Sequence, residues 1–180
     1  MSQIDHARRG FLTGQPLTSE GRRDYAQKQA RQGPYPPGLR AVIDAGNCID
    51  CAQPCVDACE ENIIQAHPEQ HALHRQPHLV FTQRGCTFCL NCTAACPKIS
   101  WESDPVECDS IGNIALNQGA CLAWSGVFCM SCLGACPLKA LSLDFSRKLI
   151  TETDRCTGCG HCVARCPTQA LSVIFAPGAE

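Results

Sequence analysis

The chain has 180 residues, with 15 Lys+Arg against 17 Asp+Glu for a formal charge of −2, and only 6% aromatic residues. No block of like positive charge is present, which excludes a nucleic-acid-binding surface as the default reading, and no apolar run reaches the roughly 18 residues of a transmembrane segment. Seventeen cysteines argue that metal–thiolate bonds take over work that a large apolar core would otherwise do, so the metal-free chain is expected to be largely unfolded.

The first 40 residues read as an arm or linker. His6-Ala7-Arg8-Arg9-Gly10-Phe11-Leu12-Thr13 resembles a twin-arginine export consensus, but a signal peptide needs an apolar stretch of about 7–15 residues after its charges. Here Gln15, Pro16, Glu20, Arg22, Arg23, Asp24, Lys28 and Arg31 follow instead, so the expectation is a cytoplasmic chain. A short polar helix is expected from Glu20 to Gln32, ended by Gly33-Pro34-Tyr35-Pro36-Pro37-Gly38. Phe11, Leu12 and Tyr25 are the apolar contacts this arm offers a partner.

Residues 41–105 are expected to form a first unit. Run I, Cys48, Cys51, Cys55 and Cys59, has three residues rather than two in its middle gap, through Gln53-Pro54, and Glu60 where a proline would stand. Asn62-Ile63-Ile64 and Pro77-His78-Leu79-Val80-Phe81 read as two short strands of a hairpin. Between and within them His67, His71, His74 and His78 are spaced 4, 3 and 4 apart. That spacing fits a metal-binding helix face, against which Pro68 and Pro77 argue for a solvated insertion. Run II, Cys86, Cys89, Cys92 and Cys96 followed by Pro97, is regular. Residues 106–119 read as a linker, in which Cys108, between Glu107 and Asp109, is a spare thiol rather than a ligand.

A second unit is expected over 120–175. In run III, Cys129, Cys132 and Cys136 precede Pro137, and Cys121 is read as the displaced first member, leaving Leu122 to Phe128 as an enlarged loop. Run IV, Cys156, Cys159, Cys162 and Cys166 before Pro167, is regular. Strands are expected near Leu141-Ser142-Leu143, Lys148-Leu149-Ile150-Thr151 and Leu171-Ser172-Val173. The match of "CPLKALSL" to "CPTQALSV" exposes an internal repeat.

The spacing C-x2-C-x2-C-x3-C-P is that of bacterial iron–sulfur runs. Two short gaps set three thiolates on one tight loop, and the x3 gap starts a helix that carries the fourth toward a neighbouring cluster. Disulfide frameworks and zinc knuckles explain a repeated C-x2-C but not the third cysteine, the x3 gap and the proline. The reading is three to four [4Fe-4S] clusters, four when both irregular runs are filled. Cys48, Cys51 and Cys55 then share a site with Cys96, and Cys86, Cys89 and Cys92 with Cys59. In the second unit Cys121, Cys129 and Cys132 go with Cys166, and Cys156, Cys159 and Cys162 with Cys136. The expected fold is α+β, as tandem bacterial two-cluster ferredoxin-like units of small hairpins and short helices.

The stretch Ala7-Arg8-Arg9-Gly10-Phe11-Leu12-Thr13-Gly14, the four cysteine runs and Gly119-Ala120-Cys121-Leu122-Ala123-Trp124 together resemble the NapF-type ferredoxin-like accessory proteins of the periplasmic nitrate reductase system. The resemblance covers nearly the whole chain, although such proteins have a regular first run. It implies a cytoplasmic protein that binds the catalytic subunit of the reductase before export and helps it acquire its iron–sulfur cluster. The competing class is an electron-transfer ferredoxin serving a redox enzyme or a quinone-linked membrane complex. No nucleotide fingerprint, nucleophile elbow or paired-carboxylate motif supports an active-site enzyme.

Overall fold

The computed structural model describes residues 32–69, 71–99, 110–151 and 153–175. Arg8, Arg9, Phe11, Leu12, Tyr25, the expected helix from Glu20 up to residue 31, and Cys108 lie outside them. The described chain is a mixed α and β fold of short pieces. Its helices are α1 (Arg40–Asp44), α2 (Pro54–Asp57), α3 (Asn91–Ala94) and α4 (His161–Arg165), and its strands are β1 (Ile64–Ala66), β2 (Pro77–Leu79), β3 (Asn113–Leu116), β4 (Leu141–Leu143), β5 (Leu149–Thr151) and β6 (Leu171–Ile174).

The shortness has a local cause. In three of the runs the residue before the helix is left-handed: Gln53 at φ 60°, Leu90 at φ 60° and Gly160 at φ 78°. A left-handed residue turns the chain sharply out of the cysteine loop, and the third cysteine follows two positions later, in the first helical turn. Each helix then ends within about a turn, because the chain must deliver the fourth cysteine elsewhere.

β1 and β2 pair antiparallel, with Ile64 opposite Leu79, and β4 pairs with β5, with Leu143 opposite Leu149. β6, the repeat equivalent of β4, pairs instead with β3, Leu116 opposite Leu171. The segment 106–119 expected as a linker therefore supplies a strand at 113–116, and β3 closes the second half of the fold. Two small cores result. One is built from Leu39, Ile43, Ile63, Ile64 and Leu79, the other from Ile114, Leu141, Leu149, Ala170 and Leu171. Cysteines contribute to both: Cys48, Cys55 and Cys92 to the first, and Cys121, Cys132 and Cys162 to the second.

The halves meet along runs II and IV. The Cys86 N–H donates to the Cys159 carbonyl at 2.7 Å, the Ile111 N–H to the Thr157 carbonyl at 2.9 Å, and Tyr35 meets Phe175 edge-on at 6.3 Å. Glycine is required at this seam. A Cβ on Gly85 would stand 2.5 Å from the His161 nitrogen and 2.7 Å from the Cys159 oxygen, and one on Gly160 would enter the Phe81 ring.

Thr93 is fully buried beside Cys92, and its hydroxyl donates to the Pro37 carbonyl at 2.6 Å, tying the segment ahead of α1 to α3. Thr93→Val keeps the shape but leaves that carbonyl without its partner, at about 1–3 kcal/mol. Denaturant unfolding of the iron-loaded variant should show this loss at unchanged iron content, with Thr93→Ser recovering most of it. An unaltered midpoint in Thr93→Val would contradict the assignment.

Candidate metal-cluster sites

Four small cavities lie within the fold, and each is lined by four cysteines. Site I gathers Cys48, Cys51, Cys55 and Cys96 among Leu39, Val42, Ile43 and Pro77. Site II gathers Cys59, Cys86, Cys89 and Cys92 among Ile63, Ile64 and Leu79. Site III holds Cys121, Cys129, Cys132 and Cys166, and site IV holds Cys136, Cys156, Cys159 and Cys162. Every cavity thus takes three cysteines from one run and the fourth from its partner run, the grouping expected from the spacing.

The irregular first run meets the same geometry as the regular ones. Pro54 occupies the first helical position, where its missing N–H and fixed φ are tolerated. Cys55 follows it, as Cys92 follows Asn91 and Cys162 follows His161. The additional residue is taken up between Cys51 and the left-handed Gln53, before the helix begins. A matching enlargement opposite holds it: Gln53 Nε2 donates to the Arg75 carbonyl, and Arg75 Nη2 donates to the Cys51 carbonyl at 2.5 Å. Arg75 belongs to the long β1–β2 loop, so the insertion in run I and the histidine-rich loop are structural partners. In run III the described chain from Ser131 to Ala135 makes turns instead of an α-helix. The enlarged loop before it is anchored by Trp124, whose Nε1–H donates to the Leu149 carbonyl at 3.1 Å while Lys148 Nζ sits 4.8 Å over its ring.

Backbone N–H groups point at the sulfurs. Phe88 donates to Cys86 Sγ, Gly158 to Cys156 Sγ and Gln53 to Cys51 Sγ, each at 3.4 Å; Ala140 and Ala170 donate to Cys136 and Cys166 Sγ, each at 3.2 Å. Such donors favour thiolate and are among the features that tune cluster potentials. Burial, reinforced by neighbouring thiolates, pushes Cys55 and Cys162 up to about 12. Burial likewise raises Cys86 and Cys132 to about 11, against an opposing backbone hydrogen bond in each case. At Cys166 burial is outweighed by hydrogen bonds from Ala170, Thr168 and Leu171, and the thiol falls below its ordinary value. Gathering the sulfurs of Cys55, Cys86, Cys132 and Cys162 without a cation is therefore unfavourable to their charged forms, and metal must displace their protons.

The residues present fit a cubane rather than a single ion. Four thiols face one apolar cavity at each site, while among the described residues no three His, Cys, Asp or Glu side chains converge closely enough to hold one metal ion. That arrangement leaves zinc without a tetrahedral set. The sequence missed α1, whose Ile43, with Leu39 just ahead of the helix, walls site I; the two are 0% and 2% exposed. Their i,i+4 spacing just after Gly38 was the available signal.

The histidines are neither a metal-binding helix face nor a solvated insertion. His67, His71 and His78 are 2%, 6% and 2% exposed, and their rings stack, His67 on His71 at 4.2 Å and His67 on His78 at 4.1 Å. Rings laid face to face direct their nitrogens around the rim of the stack instead of toward one point. His71 Nδ1 accepts the Leu73 N–H at 3.0 Å, and His74 lies outside the stack.

This is the site architecture of a dicluster ferredoxin. Residues 40–99 and 127–170 match the profile of the 4Fe-4S dicluster domain, and the chain belongs to that family and binds multiple [4Fe-4S] clusters. It is similar to the ferredoxin-type protein NapF of Escherichia coli K12, at 29% identity over 88% of each chain, which bears out the NapF-type resemblance. The methylamine utilization ferredoxin-type protein MauM of Methylorubrum extorquens is 27% identical over 75% of this chain and 68% of its own. The ferredoxin-type protein NapG of Haemophilus influenzae is 27% identical over 74% of this chain and 56% of its own. No described helix is long and apolar enough to cross a membrane.

Two outcomes are expected. Cys48→Ser and Cys96→Ser, far apart in the chain, should remove the same electron paramagnetic resonance (EPR) species and leave the others. Loss of different species would contradict the grouping. Because loading expels protons from thiols raised to about 11 and 12, competition with an iron chelator should favour the protein more at about pH 8.5 than at about pH 6.5. A competition that is pH-independent once the chelator's own protonation is accounted for would mean that the protein releases no protons.

Proposed function

We propose that this chain is a cytoplasmic polyferredoxin with four [4Fe-4S] clusters, held by the sixteen cysteines of sites I to IV in tandem two-cluster units over residues 41–105 and 120–175, the second extended by β3. It has no active site of its own. Its role is to bind the catalytic subunit of periplasmic nitrate reductase before export and to help it acquire its iron–sulfur cluster. The observation that carries this reading is the similarity to NapF across 88% of both chains, combined with four complete four-thiol cavities.

A maturation factor needs a site that can be surrendered. The irregular spacing of run I does not loosen its site, which is walled by Leu39 and Ile43 and followed by a regular helix. Site III suits the task better. It lacks an α-helix under its own run, and the residues around Cys129 are open, with Val127, Phe128 and Met130 at 52%, 67% and 50% exposure. The second reading, electron transfer to a redox enzyme or quinone-linked complex, draws support from the direct contact between runs II and IV.

Mixing protein loaded with labelled iron with the apo catalytic subunit, under anaerobic reducing conditions, separates the two. Transfer of label into the subunit is expected. A subunit that becomes reduced yet gains no label would favour the carrier. Fractionation should place the full-length protein in the cytoplasm; a periplasmic pool dependent on Arg8 and Arg9 would contradict the localisation.

A further inference from the structure

We infer that the four sites form one unbranched row in the order I, II, IV, III, which differs from their order in the chain, and that the seam at Gly85-Cys86 and Cys159-Gly160 is the crossing between the halves. The inference rests on the sixteen-cysteine assignment proposed above and adds the spatial order.

Three kinds of connection define the row. Within the first half, α2 joins Cys55 of site I to Cys59 of site II, and α3 joins Cys92 of site II to Cys96 of site I. A helix of about one turn separates its two cysteines by only about 6 Å along its axis, so sites I and II are neighbours. Within the second half, α4 joins Cys162 of site IV to Cys166 of site III, and the turns from Cys132 to Cys136 join III to IV in the reverse sense. Between the halves, the contact is made by backbone belonging to ligand cysteines: Cys86 of site II donates its N–H directly to the carbonyl of Cys159 of site IV at 2.7 Å.

The seam is built for close approach. Gly85 abuts the His161 nitrogen and the Cys159 oxygen, and Gly160, at φ 78°, presents a bare α-carbon to the Phe81 ring. Side chains at either glycine would push the two cysteine loops apart. The regular runs, II and IV, thus lie in the middle of the molecule, while the two irregular runs, I and III, stand at its ends. Variation in spacing is placed where it does not disturb the crossing.

The order is tested by the magnetic interaction between reduced clusters. Cys48→Ser with Cys121→Ser retains sites II and IV, and Cys86→Ser with Cys156→Ser retains I and III. After anaerobic loading and dithionite reduction, the first protein should give an EPR spectrum broadened and split by mutual interaction, and the second should give two independent signals. Independent signals from the II and IV pair, or interacting signals from the I and III pair, would overturn the row.

Should either double variant fail to hold two clusters, the intact set is read in Gly85→Ala. At full iron content its interaction splitting should be partly lost relative to the unsubstituted protein, because the added Cβ parts the seam. An unchanged spectrum would overturn the inference. Fewer than four clusters in the unsubstituted protein would instead fail the cysteine assignment, which keeps the two claims separable.

Discussion

The structure depends on delivering the fourth cysteine of each run to its neighbour's cavity. A chain with so few aromatic residues and such short helices has little apolar area to bury, and each half closes around its thiols. Cys48, Cys55, Cys92, Cys121, Cys132 and Cys162 are themselves core residues. Burial and neighbouring thiolates disfavour the charged forms of Cys55, Cys92, Cys132 and Cys162, so these gathered thiols are stabilised only when metal neutralises them. Folding and cluster loading are in this sense one equilibrium, and the x3 helices are what make it cooperative across paired sites.

That exchange of ligands also explains why the halves are so alike and yet not interchangeable. The repeat places β4 and β6 at equivalent positions, but β4 pairs with the neighbouring β5 while β6 pairs with β3, drawn from residues between the halves. β3 is followed closely by Cys121 and preceded by Ile111, which packs on the first core and donates to Thr157. The segment between the two cysteine-rich halves therefore ties both of them to the seam. The seam in turn holds the regular runs together and leaves the irregular ones at the periphery.

Much of the site was legible in the sequence because cysteine spacing encodes geometry directly. The x2 and x3 gaps decide which thiols share a loop and which are carried away, and Cys121 could be found eight positions upstream of Cys129 since the one alternative, Cys108, stands farther off between two carboxylates. What could not be read were compensations between distant segments. The residue added to run I makes its spacing irregular, but Arg75 in the β1–β2 loop receives it. His67, His71 and His78 had a spacing that suggested a helix, and a hairpin buries them as a stack instead. The order of the sites was equally hidden, since it depends on glycines whose importance appears only when another backbone comes within contact distance.

Four complete cubanes held by sixteen cysteines are the central claim, and combined iron and sulfide analysis of the anaerobically loaded, monodisperse protein tests it most directly. The account predicts roughly 16 iron and 16 acid-labile sulfide per chain, four for each cubane. About 12 of each or fewer, or iron without sulfide, would contradict it.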